Sequence, residues 1–163
     1  MEYKLIPIKG VPLEEESKVE PITISAEEAK RISLVSELIE DNPEDVDISV
    51  HLHRKELEKI VEYVRILNDV PEPTIEAVIT THRFAELVPE QIQKLMKLPK
   101  DDLFELMAAA DFLKMEKLLS IIGARIACHL MKMSDEEKQE YLGLEDDLTL
   151  EEKANIHREN QDL

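Results

Sequence analysis

One stretch constrains this chain more than any other: Glu116 to Lys132 reads as a helix that is apolar on most of its circumference. At about 100° per residue, Leu119, Ile122, Ile126 and Leu130 form one stripe, while Ile121, Ala124, Cys128 and Met131 lie on a different face. Such a helix has to be buried on more than one side. The chain that follows offers little to bury it with. From Ser134 to Leu163 there are eleven acidic and three basic residues. The apolar set there (Tyr141, Leu142, Leu144, Leu148, Leu150, Ala154 and Ile156) is thin for a self-sufficient core. Two readings stay open: the helix keeps apolar surface for a protein partner, or the tail folds back and fills the gap.

The elements before it point to an α+β domain. Tyr3, Leu5 and Ile8 form an irregular strand-like run over residues 3–9, and Gly10-Val11-Pro12 reads as a turn. Val19 to Ile24 is a second short run, and Pro21 assigns it to an edge. Val46, Ile48, Val50 and Leu52 alternate strictly, as a half-buried strand does. Ser25 with Glu28 is a capping box, predicting one helix that carries Ala29, Ile32, Val35, Leu38 and Ile39. A second helix carries Leu57, Ile60, Val61, Val64 and Leu67 and stops before Val70-Pro71-Glu72-Pro73. Over residues 74–87, Ile75, Val78, Ile79, Phe84 and Leu87 are compatible with a further helix. Pro89 starts a short one with Ile92, Leu95 and Met96. Pro99 suits the first turn of the next, which carries Leu103, Phe104, Leu106, Met107, Ala110 and Leu113. Ser134 with Glu137, and Thr149 with Glu152, open two more.

Composition excludes several functions. There are 37 acidic and 20 basic residues, a net charge of −17. That balance disfavours nucleic acid, whose phosphates call for Lys and Arg, and anionic membranes. Apolar runs stop at about five residues, as at Leu106 to Ala110, so none can span a bilayer. With three glycines in the chain there is no Gly-rich phosphate loop. The single cysteine, Cys128, excludes a disulfide framework and fits a reducing compartment, the cytoplasm or nucleus. It lies mid-helix with no evident base, as a small core residue does. His51 and His53 share a strand face but lack an evident third metal ligand. Asp41, Asp45 and Asp47 lack the central glycine of a calcium loop, and Pro43 intrudes. No nucleophile elbow is present. The expectation is a non-enzyme without cofactor or metal.

The run Leu103-Phe104-Glu105-Leu106-Met107-Ala108-Ala109-Ala110-Asp111-Phe112-Leu113 resembles the Skp1 family. So do Leu118-Leu119, Lys132-Met133-Ser134-Asp135-Glu136-Glu137 and Arg158-Glu159-Asn160-Gln161. The similarity runs without gaps from Leu103 to Gln161 and extends more loosely to the N-terminal elements, whose order looks like a BTB/POZ fold. Elongin C is similar through Ala109 to Leu113 but lacks the two terminal helices, so the tail favours Skp1.

The resemblance implies a BTB/POZ-like domain with a small three-stranded sheet over residues 1–115. F-box-binding helices follow over residues 116–163. It further implies an adaptor joining F-box proteins to a cullin in SCF-type ubiquitin ligases, with no chemistry of its own. Asp111 and Phe112 fall where the family has an Asn-Tyr pair at the cullin contact. Leu119, Ile126, Leu130, Leu142, Leu144 and Ile156 fall on apolar positions that meet the F-box. Ordinary core packing is the alternative for each. Other roles left open are a self-associating BTB scaffold, a weak homodimer when unpartnered, and an F-box partner that works without a cullin. Three departures stand out. Asp162 follows Glu159-Asn160-Gln161 where the family usually has Trp, an aromatic anchor worth about 2 kcal/mol of F-box binding. Residues 70–88 contain Ile75, Val78, Ile79 and Phe84 and read as more ordered, where the family carries a highly charged, flexible insert. Leu150 occupies a position that is a modifiable Pro in some protist members.

Overall fold

Alternation along the first seven residues sets the sheet. In the computed structural model, which describes residues 1–143, strand β1 spans Glu2–Pro7. Tyr3, Leu5 and Pro7 turn inward, and Glu2 and Lys4 face solvent. Strand β2, Ile22–Ser25, runs antiparallel to β1 with Tyr3 opposite Ile24 and Leu5 opposite Ile22. Strand β3, Asp47–Val50, runs parallel to β1 with Leu5 opposite Ile48 and Pro7 opposite Val50. The order is β2-β1-β3. The buried face is Tyr3, Leu5, Pro7, Ile24, Ile48 and Val50. Pro7 completes a stripe that Ile8 does not join, which is why the pattern looks irregular in the sequence.

Two strands are shorter than their apolar runs. Residues Leu13–Lys18 form a 3₁₀ turn, so the second strand starts only after Pro21 and lies at the sheet edge. The strict alternation from Val46 to Leu52 overshoots β3 at both ends: Val46 is exposed, and Leu52 is buried beyond the strand.

The single helix expected from Ser25 to Ile39 is two. Helix α1, Ala26–Lys30, is opened by Ser25 with the reciprocal Ser25–Glu28 capping box. It stops at Arg31, and helix α2 spans Ser33–Asp41. Ile32 sits between them with extended backbone, φ −102° and ψ 100°, and its side chain is fully buried. Helix α3, Arg54–Ile66, lies next in the chain. The Arg31 guanidinium donates to the Val64 carbonyl at 3.1 Å and to Asn68 Oδ1 at 2.8 Å, tying the break to the end of α3. Helix α3 buries Leu57, Ile60, Val61 and Val64, the stripe the 3.6-residue period predicts, and with them Glu56 and Tyr63, which it does not.

The helix compatible with residues 74–87 does not form; apart from a 3₁₀ turn at Phe84–Glu86, the segment has no regular structure. Thr74, Ile75, Val78, Ile79, Thr80 and Thr81 are β-branched and poor helix formers. Pro71 and Pro73 precede them and Pro89 follows. Helix α4, Glu90–Leu95, starts after Pro89, and helix α5, Lys100–Phe112, after Pro99. Both prolines occupy the N-cap, one position earlier than the first helical residue. Helix α6 spans Glu116–Leu130 and packs on α5.

Contacts divide the chain into Met1–Met131 and Lys132–Leu163. The first unit carries the sheet and α1 to α6. Within the second, helix α7 spans Asp135–Leu142, with Ser134 accepting from the Glu137 amide and Gly143 closing it at φ 67°. None of its residues is buried. The helix expected from Thr149 lies outside the described residues.

A core test follows from the break at Ile32. Replacing it with Ala should cost about 3 kcal/mol in urea unfolding, the range for a fully buried large aliphatic. Replacing Leu38, on the exposed side of α2, should change stability by less than about 0.5 kcal/mol.

Candidate functional site

Helix α5 sorts its residues cleanly. Leu103, Leu106, Ala109 and Ala110 are buried, and Leu113 closes the inner stripe. Asp111 and Phe112 fall on the outer side at the C-terminal end, and Phe112 is 43% exposed. The chain then reverses through Lys114, which has φ 57°. The Met115 amide donates to the Ala110 carbonyl at 2.9 Å, and the Lys114 amide to Asp111 at 3.1 Å. That pairing is a Schellman closure with lysine at the left-handed position usually held by glycine. Lys114 Nζ reaches Glu37 Oε2 at 2.7 Å, and the Leu34 amide donates to the Leu113 carbonyl at 3.0 Å. These two links hold α2 beside Asp111 and Phe112. Leu38, one turn beyond Leu34, is left 37% exposed. The sequence pattern placed Leu38 on a core face; the break at Ile32 rotates it outward.

On α6, Leu118, Ile121, Ile122, Ala124, Ile126 and Cys128 are buried. Cys128 Sγ donates to the Thr81 carbonyl at 3.4 Å, and the Arg125 guanidinium lies over the Phe84 ring at 6.0 Å. Both contacts fasten residues 81–84 to α6. Of the positions the resemblance assigns to the F-box, Leu119 and Leu130 are half-buried, and Ile126 is buried at 8% exposure. Met131, read on one face with Ile121, Ala124 and Cys128, is 46% exposed at the helix end. In the second unit Leu142 is 40% exposed. Leu144 and Ile156, and the departures at Leu150 and Asp162, lie outside the described residues.

Among the described residues no three His, Cys, Asp or Glu side chains stand together to hold a metal, and no helix is long and apolar enough to cross a membrane. His51 and His53 are both exposed; His53 precedes α3 without a side-chain cap bond. Two ionisable groups depart from their ordinary behaviour. The Lys55 ammonium is held above its usual value by its hydrogen bond to Asp102, which joins α3 to α5. Burial, and then the nearby Glu72 carboxylate, push the Tyr63 phenol far above 10.0. The Tyr63 hydroxyl and Glu56 Oε2 are buried without a well-formed hydrogen bond.

Comparison with known proteins decides what frame these surfaces belong to. No family model matches the chain. It is 34% identical over 145 residues to the S-phase kinase-associated protein 1 homolog of Tetrahymena thermophila, covering 87% of each chain. The chain belongs to the Skp1 family. It is 31% identical to the E3 ubiquitin ligase complex SCF subunit sconC of Talaromyces stipitatus, over 86% of this chain and 88% of that one. It is 24% identical to SKP1-like protein 16 of Arabidopsis thaliana, over 81% and 82%. The mixed α+β fold with its small three-stranded sheet is the one a Skp1-family chain is expected to have. In this Skp1-family chain Asp111 and Phe112 are exposed at the end of α5, and Leu119 and Leu130 are half-buried on α6. The sequence reading placed Leu38 and Val46 in apolar patterns and missed their exposure; both stand in a segment with no Lys or Arg between Arg31 and Arg54.

Alkaline stability tests the Tyr63 environment. Below pH 10 the phenol is protonated whether folded or not; above it the unfolded chain ionises first, so stability falls as pH rises. Thermal midpoints should fall above pH 10, and Tyr63→Phe should flatten part of that slope. An unchanged slope in the variant would show that the phenol is not the group responsible.

Proposed function

We propose that this protein is a non-catalytic adaptor of an SCF-type ubiquitin ligase, joining an F-box substrate receptor to a cullin. One observation carries it: the chain aligns over 86–87% of its length with relatives named as an S-phase kinase-associated protein 1 homolog and as SCF subunits. The geometry agrees in kind. Phe112 on α5, Leu119 and Leu130 on α6 and Leu142 on α7 are apolar side chains left exposed or half-buried on helices, an arrangement suited to docking proteins.

In this reading residues 1–115 form the BTB/POZ-like part and bind the cullin through Asp111 and Phe112. Residues 116–163 bind the F-box, through Leu119, Ile126 and Leu130 on α6, Leu142 on α7, and Leu144 and Ile156 further on. The half-buried Leu119 and Leu130 offer contact area directly. Ile126 serves by shaping the surface from beneath. Asp162 in the place of a tryptophan removes one aromatic anchor, at a cost of about 2 kcal/mol of F-box affinity. The adaptor works in the cytoplasm or nucleus, where a lone buried thiol stays reduced.

Calorimetric titration with a purified F-box domain tests the reading. One-to-one, sub-micromolar binding is the expected result; a folded chain that binds neither an F-box nor a cullin domain overturns it. Leu119→Asp with Leu130→Asp should abolish F-box binding and spare cullin binding, because a charge in an apolar seam is costly to bury. Asp111→Lys with Phe112→Lys should do the reverse. Loss of both partners from either folded double variant would refute the two-surface division.

A further inference from the structure

Phe112 does not stand alone. Leu38 on α2 is 37% exposed and Val46, just before β3, is 38% exposed. The first is brought to the end of α5 by the Leu34–Leu113 hydrogen bond and the Lys114–Glu37 ion pair. The second follows α2 through the Asn42–Asp45 turn, closed by a 3.1 Å backbone hydrogen bond. The Val46 carbonyl is fixed to the Lys4 amide at 2.8 Å.

The charge along the segment that carries Leu38 and Val46 is one-sided. Residues 32–53 hold Glu37, Glu40, Asp41, Glu44, Asp45 and Asp47 and not one Lys or Arg. All six are exposed, as is Asp111. Among the described residues only Glu37 of this set makes an ion pair, with Lys114. Net acidity alone does not produce this. Along α3 the acids alternate with bases that pair with them, as Arg54–Glu58 and Lys59–Glu62 do, and Arg65 reaches Glu28. The segment from α2 to β3 has been left without bases of its own; Lys114 beside α2 is engaged by Glu37, and Lys4 stands opposite Asp47 in the sheet, so the acids of 40–45 are the ones without a base.

We infer that the surface of Leu38, Val46 and Phe112 takes a cullin segment that is basic around an apolar anchor, selected by its Lys and Arg residues. This rests on the adaptor reading and adds the chemistry of the partner. Unpaired exposed acids act on encounter: they raise the association rate for a basic partner and slow it for an acidic one. The apolar groups act on residence, through the dissociation rate. Asp111 in place of the family's Asn strengthens the bias.

Association and dissociation rates with purified cullin N-terminal domains test it, measured at about 50 mM and about 500 mM ionic strength, where screening shortens several-fold. For a cullin domain with a basic contact face the association rate should fall about tenfold or more between the two conditions. A Glu40→Gln, Asp41→Asn, Asp45→Asn variant should lose most of that dependence while its dissociation rate stays within about twofold. Phe112→Ala should speed dissociation at both ionic strengths. Binding that ignores salt, or a neutralised variant with an unchanged salt slope, overturns the charge inference and leaves the adaptor reading intact. A folded chain that binds an F-box domain but no cullin domain at either ionic strength overturns the cullin half of the adaptor reading itself.

Discussion

Everything in the first unit leans on the packing of α6 against α5. A fifteen-residue helix with six buried side chains cannot be left at a surface; each large aliphatic among them would forfeit about 2 kcal/mol if exposed. The tight reversal at Leu113–Met115 is what brings the two helices together, and it is closed by lysine at a left-handed position. Glycine would meet the backbone requirement with less strain. Lysine adds a side chain long enough to reach Glu37 and so to hold α2 at the same corner. The exposed ion pair itself contributes little stability. Its consequence is positional: the end of α5, the start of α6 and the middle of α2 share one corner.

In the proposed reading that corner is how a protein with so little evident chemistry becomes specific. Side chains on packed helices are held in place by the core beneath them, which is the condition for a precise docking surface. Phe112 projects from a helix whose inner stripe is fully buried, and Leu38 from a helix anchored by Ile32 and Leu34. On α6 the same logic applies in a different register. Cys128 and Arg125 hold residues 81–84, so the irregular segment after α3 is fastened to the helix. The thiol is thus a structural contact and a packing group together.

Much of this was legible in the residues. The stripe of α3, the capping box at Ser25, the edge position conferred by Pro21 and the burial of α6 each follow from a local rule. What was not legible depended on partners distant in sequence. Nothing near Ile32 marks a helix break; the break exists because Arg31 finds Val64 and Asn68, more than thirty residues away. The same break turned Leu38 outward and hid it from a periodicity reading. Residues 74–87 carry apolar spacing compatible with a helix, but β-branching and flanking prolines outweigh spacing when no long-range contact supports the helix. The family resemblance singled out Asp111 and Phe112 as a cullin contact, and the structure leaves both exposed. The resemblance was silent on Leu38 and Val46, whose signal is an absence of bases and not the presence of a motif.

An adaptor that must accept many receptors and one scaffold faces opposite demands on its two faces. Apolar contact is permissive, because any partner of suitable shape can supply it; charge is discriminating, because a like-charged partner is penalised before contact. In the proposed adaptor the half-buried leucines of α6 supply contact of the permissive kind, and the acid-rimmed corner at Phe112 contact of the discriminating kind. The distribution of charge along the chain matches this division: bases are interleaved with acids on α3 and missing from α2 to β3. Even a net charge of −17 carries no specificity until it is unevenly placed, and here the unevenness falls beside the exposed aromatic ring.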